Sequence, residues 1–571
     1  MSTARHATSR TRPRTSIGSC PRAAEDPIIP ICKRLLAAAI AALALTPAAA
    51  SEPLNIFVEA RTADAIGDQA RAARLFAVLA ERDPANRGIA RRAVSTAIAA
   101  GDTALALSVA RRMDQADLGL DGRLLIVADL LRRGRTNEAL GWINERTSDS
   151  DGGFLAPLLR GWAEQQAGKD GAKRLANVPA DTLLAPFAAE QRAAMLLDSK
   201  RTSQALPLIE QALAGAGGRE TRLRLAFAAL LARAGERDQA KALLTGEDPA
   251  LKLLDLDRPQ RGIAIDGPAA GFSELLTGVA VGLARGDDRA LPLTLAQIAR
   301  HAAPDSSEAN LLTALFLERQ EQPQLALDVL GHVPQDDPFA EDALDASARL
   351  LLAEKRGAEA LALALRSAGR RDASAADFGR LGNVYDELDR HAEAADAFAR
   401  GAALADRDGA SNRWTYRLLG AAQLDKIKRW PEARAQLELG LKASPNEPLL
   451  LNYLGYNSLE RGENIVAAEA MIRRALALRP GDASITDSLG WALYKRGRLP
   501  EAIATLQKAS IADPVQSEIN EHLGDALYQS GRRYEARFAW RAALVNADEA
   551  IERARLEAKI GAGLTKATAA P

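Results

Sequence analysis

Histidines, cysteines and paired carboxylates are the side chains from which catalytic and metal sites are usually built, and in this 571-residue chain they stand apart from one another. Four histidines follow the first fifty residues, His301, His332, His391 and His522, with no spacing that brings two onto one metal ion or into one proton relay. Each reads as a surface or packing residue. Both cysteines, Cys20 and Cys32, fall within the first fifty residues, which leaves the remainder without a thiol nucleophile, a disulfide or a cysteine metal site. No HExxH, GxSxG or GxxxxGK[ST] pattern occurs, and Gly215-Ala216-Gly217-Gly218 has no strand before it to make a phosphate loop. The abundant carboxylates read as solvated surface charge. The expectation is a protein that is not an enzyme, with no catalytic residues, no metal and no cofactor.

The elements around these residues are helices. Hydrophobic residues make up 47% of the chain but aromatic ones only 4%, so the apolar content is mostly Ala and Leu set among Arg, Glu and Asp. That is the composition of close-packed helices. Glycine turns recur at Gly67, Gly101, Gly134 and Gly168, in steps of 34, 33 and 34 residues. Small residues recur at Ala326, Ala360, Ala394, Ala433, Ala468, Ala502 and Ala536, in steps of 34, 34, 39, 35, 34 and 34. Weaker units centre on Ala72, Ala106, Ala139, Lys173, Ala205, Ala240 and Ala290, giving roughly fourteen in all. The clearest begins with Thr486, Leu489, Gly490 and Leu493 and continues through Ala502, Leu506 and Ala509 to Pro514. It repeats as Leu523, Gly524, Leu527, Ala536, Trp540 and Ala543, and precedes as Leu454, Gly455, Ala468, Ile472, Ala475 and Pro480 and as Leu381, Gly382, Tyr385, Ala394 and Phe398. This pattern resembles the tetratricopeptide repeat, which implies an all-α solenoid, a right-handed superhelix of helix-turn-helix units.

The expected organisation has five parts. Residues 1–50 form a leader, in which Lys33-Arg34, the apolar run Leu35 to Leu45 and the small residues up to Ala50 read as an export signal cleaved after Ala50. Residues 1–32 lie ahead of that complete signal, as a start codon placed too early would give. Residues 51–246 form an N-terminal repeat array, 247–270 a joint marked by Asp266-Gly267-Pro268, 271–547 a C-terminal array, and 548–571 a capping helix and tail. Seven of the 74 basic and two of the 74 acidic residues precede Ser51, so the remainder carries a formal charge of −5. That balance gives no sign of nucleic-acid binding.

The tetratricopeptide resemblance places ligands on the outward positions of each first helix. Carried over, those positions are Asn452 and Tyr456, then Asp487, Trp491, Tyr494 and Lys495, then Glu521, Asp525 and Tyr528, an acidic and aromatic strip for a protein ligand. Trp491 and Tyr456 suit either the gap between repeats or an exposed anchor. Tyr494 and Tyr528 are the better groove candidates. A clamp for a C-terminal carboxylate, known in this family, needs Lys or Arg where this chain has Asn452, Asp487 and Glu521, and Leu449, Ser484 and Glu518 at the companion position.

The block 451–456, with Glu463-Asn464, 472–475, 487–494 and 521–527, is similar to a narrower group of exported proteobacterial tetratricopeptide proteins. Some of these are outer-membrane lipoproteins that bind periplasmic carboxyl-terminal processing proteases and present cell-wall hydrolases to them. The resemblance implies a periplasmic adaptor with protein partners, no small-molecule substrate, and membrane association made only through partners. This chain lacks the anchoring cysteine after its signal. A structural scaffold for envelope or exopolysaccharide assembly is the alternative reading.

Overall fold

Runs of Ala, Leu and Arg with apolar residues three and four apart make one sticky face per helix, and such a face is buried only by a neighbouring helix. The computed structural model describes residues 52–143, 152–246, 248–258, 262–286 and 290–565. The leader, its cleavage point and the tail 566–571 lie outside them. Among the described residues the chain is about 75% helical, with 29 α-helices and no strand. The helices follow one another as antiparallel pairs: Glu52–Ala65 with Gln69–Arg82, Arg87–Ala99 with Thr103–Ala110, Leu120–Arg132 with Thr136–Trp142, and so on to Ser517–Gln529 with Arg533–Val545. One pair departs from this form, Ala156–Gln166 answering to a single 3-10 turn, Gly171–Leu175. The architecture is an all-α solenoid.

In thirteen of the pairs the turn carries one residue in the left-handed conformation. Gly67, Gly101, Gly134, Gly168, Gly235, Gly462, Gly497 and Gly531 take it with φ between 70° and 98°. Lys200, Glu321, Lys355, Asp389 and Lys428 take it too, with φ between 56° and 61°, although a side chain is strained there. Glycine spacing therefore marks only part of the array. Second-helix alanines Ala326, Ala360, Ala394, Ala433, Ala468, Ala502 and Ala536 are all wholly buried, as are Ala72, Ala106, Ala139, Ala205 and Ala240. Lys173 and Ala290, near which two further units were expected, are exposed. At the first, the 3-10 turn substitutes Gly171, where a Cβ would stand 2.0 Å from the Gly161 carbonyl oxygen. At the second, Leu293, Ala296 and Ala299 face the core.

The first half of the solenoid closes on itself. Helices Pro268–Leu283 and Ala290–Ala302 return to pack against Arg87–Ala99, Leu120–Arg132 and Ala156–Gln166. Gln297 Nε2 donates to the Ala99 carbonyl at 3.5 Å, His301 Nε2 meets Asp129 Oδ1 at 3.4 Å, and Gln322 Nε2 donates to the Gly67 carbonyl at 3.2 Å. A Cβ on Gly271 would sit 2.4 Å from Trp162 Nε1, so these inner faces touch backbone to side chain. One hydrophobic cluster consequently runs from Ala60 to Leu350. It crosses the segment 247–270 unbroken, with Leu251, Ile263 and Ile265 buried and a short helix Pro249–Leu253 in it. The core therefore includes residues on both sides of that segment. Beyond Leu350 the core breaks into smaller clusters, each bridging neighbouring repeats in the manner of an open array.

Candidate functional site

Three first helices, Pro448–Glu460, Ala483–Lys495 and Ser517–Gln529, lie side by side along the inner wall of this open part. Two of them start on acidic caps, the Glu447 side chain accepting from Leu449 N and that of Asp482 from Ile485 N. Gly455, Gly490 and Gly524 admit the crossing second helices: a Cβ at each would meet Ile472 Cγ1 at 2.8 Å, Leu506 Cγ at 2.5 Å and Trp540 Cδ1 at 2.3 Å. These glycines hold the helices close enough for side chains from successive repeats to meet.

They meet around His522, which is wholly buried. Its Nδ1 lies 2.9 Å from Asp487 Oδ2, and its ring stacks on Trp491 at 4.0 Å, which in turn stacks on Tyr494 at 4.5 Å. Burial alone would lower the imidazole pKa, but the Asp487 carboxylate and its hydrogen bond outweigh that and push it up to about 9. Trp491 Nε1 donates to Glu460, and Lys495 Nζ reaches the other oxygen of Glu460 at 3.2 Å while lying 5.0 Å over the Trp491 ring. The Tyr456 hydroxyl donates to Glu518 Oε1 at 2.9 Å, and burial beside that carboxylate holds its pKa far above the ordinary phenol value. Between these groups lies a cavity of about 230 Å³ lined by Asn452, Tyr453, Tyr456, Asp487, Ser488 and Glu518, among others.

The nine residues expected to form one open strip thus divide. Asn452 and Tyr456 are half-buried and line the cavity, and Asp487 forms part of the same lining although only 5% exposed. Trp491, 2% exposed, fills the gap between repeats, so of its two readings the packing one holds, and Tyr494 lies half-buried against it. Lys495 is exposed at the edge. Glu521 and Asp525 are buried beneath the last helix, Ala550–Ala562, and Tyr528 is half-buried beside its end. Arg555 grips Glu521 through two hydrogen bonds of 2.8 and 2.7 Å. Lys559, wholly buried, sets its Nζ 2.6 Å from Glu521 and 2.8 Å from both oxygens of Asp525, which also accepts from Trp540 Nε1 at 2.9 Å. Gly563 passes so close to Tyr528 that a Cβ there would stand 2.2 Å from its hydroxyl.

His522 is the residue that sequence reasoning assigned too small a part. The signal was its position 35 residues after Asp487, one repeat step along the same helix face. A second charged cluster escaped notice altogether. In the closed half, Arg219 and Arg222 are buried with Glu190, Glu274 and Glu308, drawn from four helices and a turn between them. Burial pushes the Glu190 and Glu308 carboxyls up to about 7 against the pull of the arginines. His301, His332 and His391 are each paired, with Asp129, the Asp328 carbonyl and Gln423, and no group of three metal-ligating side chains occurs among the described residues.

The geometry is that of a repeat scaffold whose inner wall is open only in its later units. Residues 453–517 and 488–554 match the family model for the tetratricopeptide repeat, so the C-terminal units are repeats of that kind. A curated TPR repeat-containing protein of Pseudomonas aeruginosa is 34% identical over 88 residues, which is 15% of this chain and 13% of that relative's length. Among solved structures, the anaphase-promoting complex hetero-tetramer Cut9-Hcn1 aligns with 89% of this chain and 96% of its own at 14% identity and a TM-score of 0.34. Yeast Tom70 aligns with 90% of this chain and 95% of its own at 12% identity and a TM-score of 0.36. Neither score reaches the level of a shared overall shape.

Proposed function

We propose that the protein is a non-catalytic adaptor, exported to the periplasm, that holds a partner protein against the inner wall of its C-terminal repeats. The observation that carries this reading is the cavity between Asn452, Asp487 and Glu518, which three successive helices build jointly and which opens on the wall where tetratricopeptide repeats take their ligands. A stacked array binds by presenting such a wall over many repeats, each adding a few contacts. Export is supported by the leader ending at Ala50. The similarity of 451–456, 487–494 and 521–527 to exported adaptors supports a carboxyl-terminal processing protease, with the cell-wall hydrolases it cuts, as the partner class. Among the described residues no helix is long and apolar enough to cross a membrane.

Cross-linking followed by affinity purification of the tagged full chain from an envelope extract tests the proposal. A reproducible periplasmic protein is the expected result, and recovery of none, or of cytosolic proteins alone, sinks it. Proteolytic activity in the purified fraction selects the adaptor over a scaffold for envelope or exopolysaccharide assembly.

A further inference from the structure

We infer that the cavity between Asn452, Asp487 and Glu518 is the seat of an arginine side chain carried by an extended segment of the protein partner, an assignment that rests on the adaptor reading. The argument begins with unused acceptors. Asp487 spends Oδ2 on His522, yet its Oδ1 has no hydrogen-bond partner although the residue is only 5% exposed. Asn452 Oδ1, buried on the facing helix, has none either. Two buried oxygens without a partner, on residues that line a cavity, ask for a donor, and a carboxylate asks for a cationic one.

Charge points the same way. The protonated His522 balances Asp487, and Glu518, with 56% of its side chain exposed and Tyr456 donating to it, leaves the site net negative. A phosphate or a C-terminal carboxylate would meet acceptors where it needs donors. Guanidinium offers five N–H donors in a planar fork, and its face stacks on aromatic rings such as those of Tyr453 and Tyr456 in the cavity lining. An ammonium group has neither the fork nor the plane. Earlier in the same array a larger cavity, about 770 Å³ between helices Ala340–Ala353 and Ala375–Glu387, is lined by Asp342, Asp345, Asp386 and Glu387 together with Arg349 and Arg380. Burial, and then the neighbouring Asp345 carboxylate, hold the Asp342 carboxyl above its ordinary pKa. Four carboxylates against two arginines leave that cavity with an acidic excess as well, which complements a basic segment.

Fluorescence anisotropy with the full chain and a labelled nonapeptide of alternating Arg and Ser tests the inference. Its counterparts carry Lys, or citrulline, which keeps the shape of arginine without its charge. The arginine peptide is expected to bind about tenfold more tightly than the citrulline one and several-fold more tightly than the lysine one. Asn452→Leu and Glu518→Gln should each weaken it several-fold, and Glu518→Lys should abolish it, with thermal unfolding of each variant confirming the fold. Equal binding of arginine and citrulline peptides, or unchanged binding by Glu518→Lys, overturns the inference. If Glu518→Lys still captures the envelope partner, the cavity assignment fails while the adaptor reading stands; if the unaltered chain captures none, the adaptor reading itself fails.

Discussion

Lys559 shows how much a single buried charge can hold. Its ammonium lies between the carboxylates of Glu521 and Asp525, with no exposure at all. Lys559→Met keeps most of the volume and leaves Glu521 and Asp525 facing one another with only Arg555 nearby, so we expect a loss of about 3–5 kcal/mol in the stability of the last repeat. Chemical denaturation followed by the fluorescence of the terminal tryptophans measures it; a change below about 1 kcal/mol would contradict the geometry. His522 supplies a second test, with the sign set by linkage. Its pKa rises from 6.5 to about 9 on folding, so its contribution is complete below pH 6.5 and is lost as pH climbs through 9. Melting temperature should therefore fall across that window, and His522→Gln should flatten the fall. In the sequence a lone histidine reads as surface or packing and the charged C-terminal helix as a cap, and neither reading names the partners. Only stacking brings residues 34 or 35 positions apart within 3 Å.

At the scale of helices, the sequence was informative where packing is strict. Buried alanines and glycines at crossing points have to be small, which makes their spacing visible. The left-handed turn accepts Lys, Glu or Asp at some cost, so Lys200, Glu321, Lys355, Asp389 and Lys428 hid their repeats from a search for glycine. At Lys173 a 3-10 turn stands in place of the second helix, and Ala290 opens a second helix whose buried face is Leu293, Ala296 and Ala299, so neither residue is the buried one of its unit. The same logic orders a mutational series. Gly490→Ala and Gly524→Ala push a methyl group into Leu506 and Trp540 and should cost about 1–3 kcal/mol each. Gly561→Ala, helical and with open space around it, should instead stabilise the capping helix by up to about 1 kcal/mol. Thermal unfolding of the three variants side by side decides the matter; an equal effect at all three would refute the close crossing.

On the scale of the whole molecule, the two halves obey different rules. The open half was foreseeable, since each of its repeats touches only its neighbours. The closed half was not, because residues far apart in sequence pair there through polar contacts that leave no periodic trace. Its buried charges give it a pH response. Glu190 and Glu308 are raised from 4.5 to about 7, so what they contribute is complete below pH 4.5 and lost as pH rises through 7. Arg222→Met leaves three carboxylates with one arginine; we expect a destabilisation of about 3–5 kcal/mol at pH 8 that shrinks markedly at pH 5.5, where protons replace the missing cation. Calorimetry at the two pH values reads it, and an equal loss at both would disprove the coupling.

The closure has a consequence for how the chain comes into being. Ala99 and Gln297 are 198 residues apart, and Gly67 and Gln322 are 255 apart. At about 5–20 residues per second, a ribosome needs roughly ten to fifty seconds to deliver the second member of each pair after the first. Over that interval Trp162 and the inner faces of the opening repeats are synthesised without the helix that will cover them. The opening repeats, though made early, are thus completed only when Gln297 and Gln322 arrive, and their apolar surface stays uncovered until then.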